Sequence, residues 1–170
     1  QLVRYGFPKD KRISEHPYLS SYNLAISNYP DLLKRRTQLQ AEKKRLEKND
    51  PKLIQVEKEL NEIRRELRAA ESQCVRNAKF VATTVSKAIV DKEIRNGAFD
   101  VVIFDEASMA TIPQIAYAAK LARKNFVCMG DFRQLPPIVQ SSKESPLNAD
   151  IFQYCGITQA VDQGSNHKWL

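Results

Sequence analysis

Glycine is scarce in this chain of 170 residues: five occur, and none lies in a GxxxxGK loop followed by Ser or Thr. That loop cradles phosphates with backbone amides and a lysine, so a triphosphate cradle of this type is excluded within these residues. Cysteine is equally sparse. Cys74, Cys128 and Cys155 form no CxxC pair, and two histidines cannot complete a zinc site with them, so reduced thiols are expected. No apolar run approaches the roughly 18 residues that span a bilayer, and no membrane partner is expected. The start, Gln1-Leu2-Val3-Arg4-Tyr5, has neither an initiator Met nor a signal-type apolar stretch. It reads as a piece of something longer with no signal for secretion, and the expected location is the cytoplasm or, in a eukaryote, the nucleus.

What is present is the composition of a folded protein, with 42% hydrophobic and 28% charged residues. The net charge of +7 is unevenly spread. Residues 1–78 hold 17 Lys/Arg against 11 Asp/Glu, whereas residues 79–170 hold 10 against 9. A basic first half attracts polyanions, nucleic acid first among them, but solvated helices have the same look. Charge alone does not choose between them.

Residues 1–19, with Gly6, Pro8 and Pro17, have no period and read as a connector. From about 20 to 48 the pattern is helical, with Leu32, Leu39 and Leu46 seven apart. Asn49-Asp50-Pro51 then interrupts it, Asp50 being a natural cap and Pro51 a natural first-turn residue. Leu53, Val56, Leu60, Ile63, Leu67, Ala70 and Cys74 follow at spacings of three and four, an apolar seam with a 3.5-residue period. The two helices should form an antiparallel hairpin over 20–76, roughly 35 Å long. Such an arm is either a spacer or dimerisation coil, or an insertion in a catalytic domain.

From residue 77 onward short β-type runs alternate with helical ones, which predicts an α/β layer with parallel strands. Strands are expected at 79–83, 99–105 and 125–130, apolar almost throughout as in sheets covered on both faces. Helices are expected at 86–95, at 112–123 with Pro113 in the first turn, and around 147–154.

The strand Phe99-Asp100-Val101-Val102-Ile103-Phe104 delivers Asp105-Glu106 at its carboxyl end, where open α/β sheets place ligands. Asp105 there suits Mg²⁺ held through water, and Glu106 suits orienting and deprotonating an attacking water, the Walker B arrangement. A turn or helix cap is the plainer reading of such a pair. The next strand runs into Gly130-Asp131-Phe132-Arg133-Gln134-Leu135-Pro136-Pro137. Here a glycine permits close approach or an unusual backbone angle, Gln134 can donate to a phosphate oxygen, and two prolines stiffen the loop.

With these two segments the sequence resembles the superfamily 1 helicases and related nucleic-acid-dependent ATPases. Asp105-Glu106-Ala107-Ser108 is similar to motif II of that family and Gly130 to Pro137 to its motif III. Ala82-Thr83-Thr84-Val85-Ser86 is similar to its threonine-rich strand end, which touches the nucleic-acid backbone. In the subgroup of nonsense-mediated-decay helicases an antiparallel stalk interrupts the first RecA-like domain. Leu2-Val3-Arg4-Tyr5-Gly6 then resembles the strand entering the insertion, and Lys79-Phe80-Val81-Ala82-Thr83 the strand returning from it.

The resemblance implies an α/β fold, part of a RecA-like P-loop NTPase parallel sheet over 77–170 with an inserted antiparallel helical hairpin. It implies ATP and Mg²⁺ as cofactors, single-stranded DNA or RNA as partner, and movement 5′ to 3′. Glu106 and Gln134 take the catalytic roles, Asp105 the metal through water, and Gly130, Asp131 and Arg133 join Asp105 around the nucleotide. Thr83, Thr84, Ser86 and Pro136 face nucleic acid. The remaining helicase domains of the parent chain would be further partners, and a protein could meet the arm. Without the phosphate loop and the second RecA-like domain, residues 1–170 alone should be inactive, the chain ending at Trp169-Leu170 about where that domain would begin.

Two other readings compete. An SMC-like or ABC-type ATPase needs an LSGG-type signature before its Walker B strand, where this chain has Lys92-Glu93-Ile94-Arg95-Asn96-Gly97-Ala98. A non-catalytic coiled-coil module on an α/β scaffold would instead dimerise through residues 30–74.

Overall fold

A computed structural model describes residues 1–6, 9–140 and 145–168. Pro8 of the connector and the Trp169-Leu170 end lie outside the described residues. The chain divides into two compact units, Gln1–Lys87 and Ala88–Leu170. Together they give a mixed α/β fold whose sheets are small and parallel.

In the first unit, β1 (Leu2–Arg4) pairs in parallel with β2 (Phe80–Ala82), Val3 lying opposite Val81. The segment between the two strands is helical. The stretch read as a connector carries one helical turn, α1 (Lys11–Ser14), started by the Asp10 carboxylate. The helix expected over 20–48 is two helices, α2 (Ser21–Ser27) and α3 (Pro30–Lys43). Pro30 is the cause: it has no N–H to give and drives Tyr29 out of the helical region, to φ −135° and ψ 59°.

The fourth helix of this segment, α4 (Pro51–Arg76), begins as its sequence dictates, with Asp50 accepting from the Lys52 N–H and Pro51 in the first turn. Its 26 residues extend for about 39 Å. The seam residues Val56, Leu60, Ile63 and Leu67 are buried together with Leu39 of α3, and Ile26, Leu32 and Leu46 pack against them. Contacts between the helices run in opposite senses along the chain. Ser21 donates to Glu71, Arg35 pairs with Glu59 at 2.6 Å, and Lys43 pairs with Glu57 at 2.6 Å, so α4 is antiparallel to α2 and α3. Arg35, and then Gln55, hold the Glu59 carboxyl below its usual range. These exposed ion pairs set register more than stability. The apolar seam supplies the holding energy.

After β2, α5 (Val85–Val90) and α6 (Lys92–Arg95) replace the single helix expected over 86–95. Asp91 divides them, its carboxylate accepting from the Glu93 N–H in an extended cap conformation that competes with helix.

The second unit is built on β3 (Phe99–Phe104) and β4 (Ala122–Cys128), paired in parallel with Phe104 opposite Cys128. The connection from β3 to β4 contains a 3-10 turn at Ala107–Met109 and α7 (Ile112–Lys120). Thr111 and Gln114 form a capping box at the start of α7, and the Tyr117 hydroxyl donates to the Ala88 carbonyl. β4 begins three residues before the expected 125. The polar Arg123 and Lys124 obscured its start, and Lys124 lies 3.3 Å from Asp100 on the partner strand. A second 3-10 turn (Pro146–Asn148), α8 (Ile151–Tyr154) and α9 (Ile157–Asp162) complete the unit.

Burial corrects one expectation. The apolar runs of these strands imply cover on both faces, yet Val101 is 50% exposed, Ile103 54% and Val127 41%. A hydrophobic core forms elsewhere, around Ala107, Ala110 and Ile115 with Phe104, Phe126, Cys128, Ile151 and Phe152. Among the described residues no helix is long and apolar enough to cross a membrane.

Candidate functional site

The parallel pairing of β3 with β4 brings their carboxyl ends together, so the loop entered by Asp105-Glu106 lies beside the loop entered by Gly130. The ladder continues past the last paired residues. Met129 N–H donates to the Phe104 carbonyl at 2.8 Å, and Ala107 N–H donates to the Met129 carbonyl at 2.8 Å. Asp105 and Glu106 are both exposed, and neither carboxylate has an ion-pair partner among the described residues. One oxygen of Asp105 accepts from the Glu106 N–H at 3.1 Å, fixing its direction and leaving the second oxygen open.

Glu106 is the only non-glycine residue with positive φ among the described residues, at φ 55° and ψ 42°. L-residues avoid this region, and such departures cluster at sites where geometry serves chemistry. Two residues on, Ser108 is fully buried and its hydroxyl has no hydrogen-bond partner among the described residues. A strained backbone and an unsatisfied polar group thus coincide in one turn.

Past Gly130 the chain makes a tight turn in which Arg133 N–H donates to the Asp131 carboxylate at 2.9 Å and Gln134 N–H to the Asp131 carbonyl at 3.0 Å. Asp131 is therefore occupied in shaping its own loop, while the Gln134 side chain is exposed. Of the two prolines, Pro136 is exposed and Pro137 is buried. Sequence reasoning missed the support behind this loop. The Phe132 ring lies 6.0 Å from the Phe152 ring of α8, and Arg133 lies 3.8 Å from Asp162 of α9. No local pattern links residues so far apart, although an aromatic and an acid spaced along two short helices were the available signal. Cys128, at the end of β4, has its thiol pushed up by burial and then by Cys155, a shift that disfavours the thiolate.

Thr83, Thr84 and Ser86 lie in the first unit, at the carboxyl end of β2. The Thr83 hydroxyl donates to the Tyr5 carbonyl at 3.1 Å, bracing the two strand ends. The Thr84 hydroxyl accepts from the Lys87 N–H at 3.2 Å, and Ser86 is exposed. Two cations accompany them that sequence reasoning did not single out. Arg4 donates to the Tyr5 and Ala82 carbonyls, and the Lys87 ammonium stands 4.3 Å over the Tyr5 ring. Hydroxyls and cations at one strand end suit a phosphate backbone.

Mg²⁺ and a nucleotide fit the donor chemistry of the β3 end. Exposed carboxylate oxygens at a parallel strand's carboxyl edge are hard ligands, and Mg²⁺ is commonly held by one or two such groups with water and substrate phosphates. Among the described residues no group of three or more His, Cys, Asp or Glu forms a protein cage for a metal.

The sequence matches the family model described as AAA domain over residues 8–142. It is also 30% identical over 143 residues to the ATP-dependent helicase upf1 of Schizosaccharomyces pombe, an alignment covering 84% of this chain and 15% of that protein. The chain therefore spans about 15% of the length of the curated relative it matches. With a family match over most of its length, and a helicase among the proteins it resembles, this chain belongs to the AAA domain family.

Proposed function

We propose that this chain supplies part of the ATP-hydrolysing core of a nucleic-acid helicase or translocase. The observation that carries this reading is the clipping of the Asp105-Glu106 turn to the Gly130 loop at the carboxyl ends of β3 and β4. In the reading, Asp105 holds Mg²⁺ through its water shell and Glu106 orients the attacking water and takes its proton. Gln134 donates its amide N–H to the γ-phosphate, and Gly130, Asp131 and Arg133 shape the wall beside it. ATP with Mg²⁺ supplies the phosphoryl group and the charge neutralisation when bound. The hairpin over 20–76 is the stalk inserted into a RecA-like domain that resumes at 77, and its outer surface is open to a protein partner.

Thr83, Thr84 and Ser86 of the first unit contact single-stranded DNA or RNA, and Pro136 of the second unit is a separate candidate contact. Because hydroxyls and amides on phosphates carry no sequence information, binding is sequence-tolerant and weakens with salt. Changing Thr83, Thr84 and Ser86 together to Ala in the full-length protein should weaken single-strand affinity, read by fluorescence anisotropy at two salt concentrations. Unchanged affinity removes these residues from the interface.

The test of the function is nucleotide turnover. Full-length protein should hydrolyse ATP faster when single-stranded nucleic acid is added, and residues 1–170 alone should show no turnover above background, since nothing in them replaces the phosphate-loop amides and lysine. Full-length protein without strand-stimulated hydrolysis overturns the reading. Robust hydrolysis by residues 1–170 overturns the view that they hold half a site.

A further inference from the structure

We propose that Gly130 is a positioning residue for the Glu106 carboxylate, acting through the backbone of the turn that follows Glu106. The inference rests on the reading of Glu106 as the water-orienting base and adds what holds it in place.

A glycine is required for one of two reasons, a backbone angle that other residues avoid or a lack of space for a side chain. The first does not apply at this position. The glycines with positive φ are Gly6, Gly156 and Gly164, and Gly130 is not among them. The second does apply. A Cβ at position 130 would stand 3.0 Å from the Ala107 nitrogen, 3.3 Å from the Ser108 nitrogen and 3.4 Å from Cε2 of Phe152. Its two tightest neighbours are backbone atoms, which cannot rotate aside as a side chain can.

Those backbone atoms belong to the turn that aims Glu106. Ala107 N–H reaches the Met129 carbonyl, one residue before Gly130, at 2.8 Å. For that N–H to face back toward β4, the chain bends at Glu106 into the left-handed region, φ 55°. The bend, the Ala107 hydrogen bond and the empty space at position 130 are thus one arrangement. A methyl group at 130 forces the turn outward by a few tenths of an ångström, and the Glu106 side chain moves with it. The ring of Phe152 is at ordinary contact distance and can adjust, so the effect passes through the backbone and not through the core.

The test uses Gly130→Ala in the full-length protein. kcat for ATP should fall about tenfold, because even sub-ångström misplacement of a catalytic group slows turnover. Affinity for a Mg²⁺-loaded non-hydrolysable ATP analogue should fall by a smaller factor than kcat, since Asp105 lies before the displaced turn. Adding Phe152→Leu should not restore kcat. Restoration in the double variant shows that the methyl acted through core packing, and it overturns the proposal.

Amide hydrogen exchange gives a readout independent of turnover. Ala107 should exchange slowly in the unaltered protein and at least about tenfold faster in Gly130→Ala, as expected when a buried-turn hydrogen bond is weakened. Normal kcat with normal Ala107 protection in the variant overturns the proposal. If Gly130→Ala does not fold, the unaltered protein decides: slow Ala107 exchange supports the clip, and exchange at open-loop rate overturns it. If the unaltered protein hydrolyses no ATP, the role of Glu106 falls, while the Ala107 comparison still decides whether Gly130 holds the turn.

Discussion

Glu106→Gln in the full-length protein should lower ATP turnover by about a hundredfold or more while leaving Mg²⁺-nucleotide affinity nearly unchanged. Glutamine has the size of glutamate and can follow the same bend at φ 55°, so the Ala107 to Met129 hydrogen bond survives. What is lost is a carboxylate able to accept a proton from water. Asp105→Ala has a different expected signature. It removes an exposed oxygen pair whose direction is set by the Glu106 amide, so both nucleotide binding and turnover should weaken. Gln134→Ala should reduce unwinding more than nucleotide binding, as expected if a γ-phosphate contact holds a switch that relaxes on hydrolysis. Single-turnover hydrolysis, nucleotide titration and strand displacement separate the three. Normal hydrolysis by Glu106→Gln, or normal unwinding by Gln134→Ala, would falsify these assignments.

The second large effect is on stability. Leu60→Asp should destabilise the hairpin by about 3 kcal/mol or more, combining the lost transfer energy of a buried leucine with the cost of a carboxylate in an apolar seam. Leu60 is 5% exposed and packs with Leu39, Val56, Ile63 and Leu67 between α3 and α4. Ile54 is the internal control. It lies on the same helix but is 76% exposed, so Ile54→Asp should change stability by no more than about 0.5 kcal/mol. Urea melts followed by helical circular dichroism would measure both. Equal effects at the two positions would mean that the seam does not hold the arm.

The contrast between Leu60 and Ile54 also marks what the sequence reveals well. A 3.5-residue period distinguishes residues on the seam from those off it, and Asp50-Pro51 announces a helix start with local chemistry alone. The ends of β3 and β4 are legible for a similar reason, since a run of apolar residues stops abruptly at Asp105 and again at Gly130. Pro30 was readable in principle, because the leucine repeat at Leu32, Leu39 and Leu46 lies wholly after it and gives no support for a helix running through it. The start of β4 was hidden because Ala122 pairs with Phe99 across a register irregularity that takes in Arg123 and Lys124, which local composition does not reveal. α9 was missed altogether: it is six residues long, begins after Gly156 at φ 75°, and has too few apolar positions to display a period.

At the candidate site, the gap between position and geometry is wider. The order of residues locates Asp105, Glu106 and Gln134, but no preference of glutamate announces a left-handed backbone. That bend accompanies a hydrogen bond from Ala107 to Met129, at the end of a strand some twenty residues later. The Thr83 hydroxyl is similar, since its acceptor is the Tyr5 carbonyl, 78 residues away. Such partners exist only once the parallel pairs have formed.

The backbone at Glu106 sets robustness against chemistry. A glutamate held at φ 55° stores about 1 kcal/mol that glycine, and in part asparagine, would release. Because proteins sit only modestly above their stability threshold, a library of variants sorted by heat resistance alone would drift toward those two residues at position 106. Each such gain would discard the carboxylate on which the proposed hydrolysis depends. In engineering this region, a higher melting temperature is therefore a poor proxy for a better enzyme.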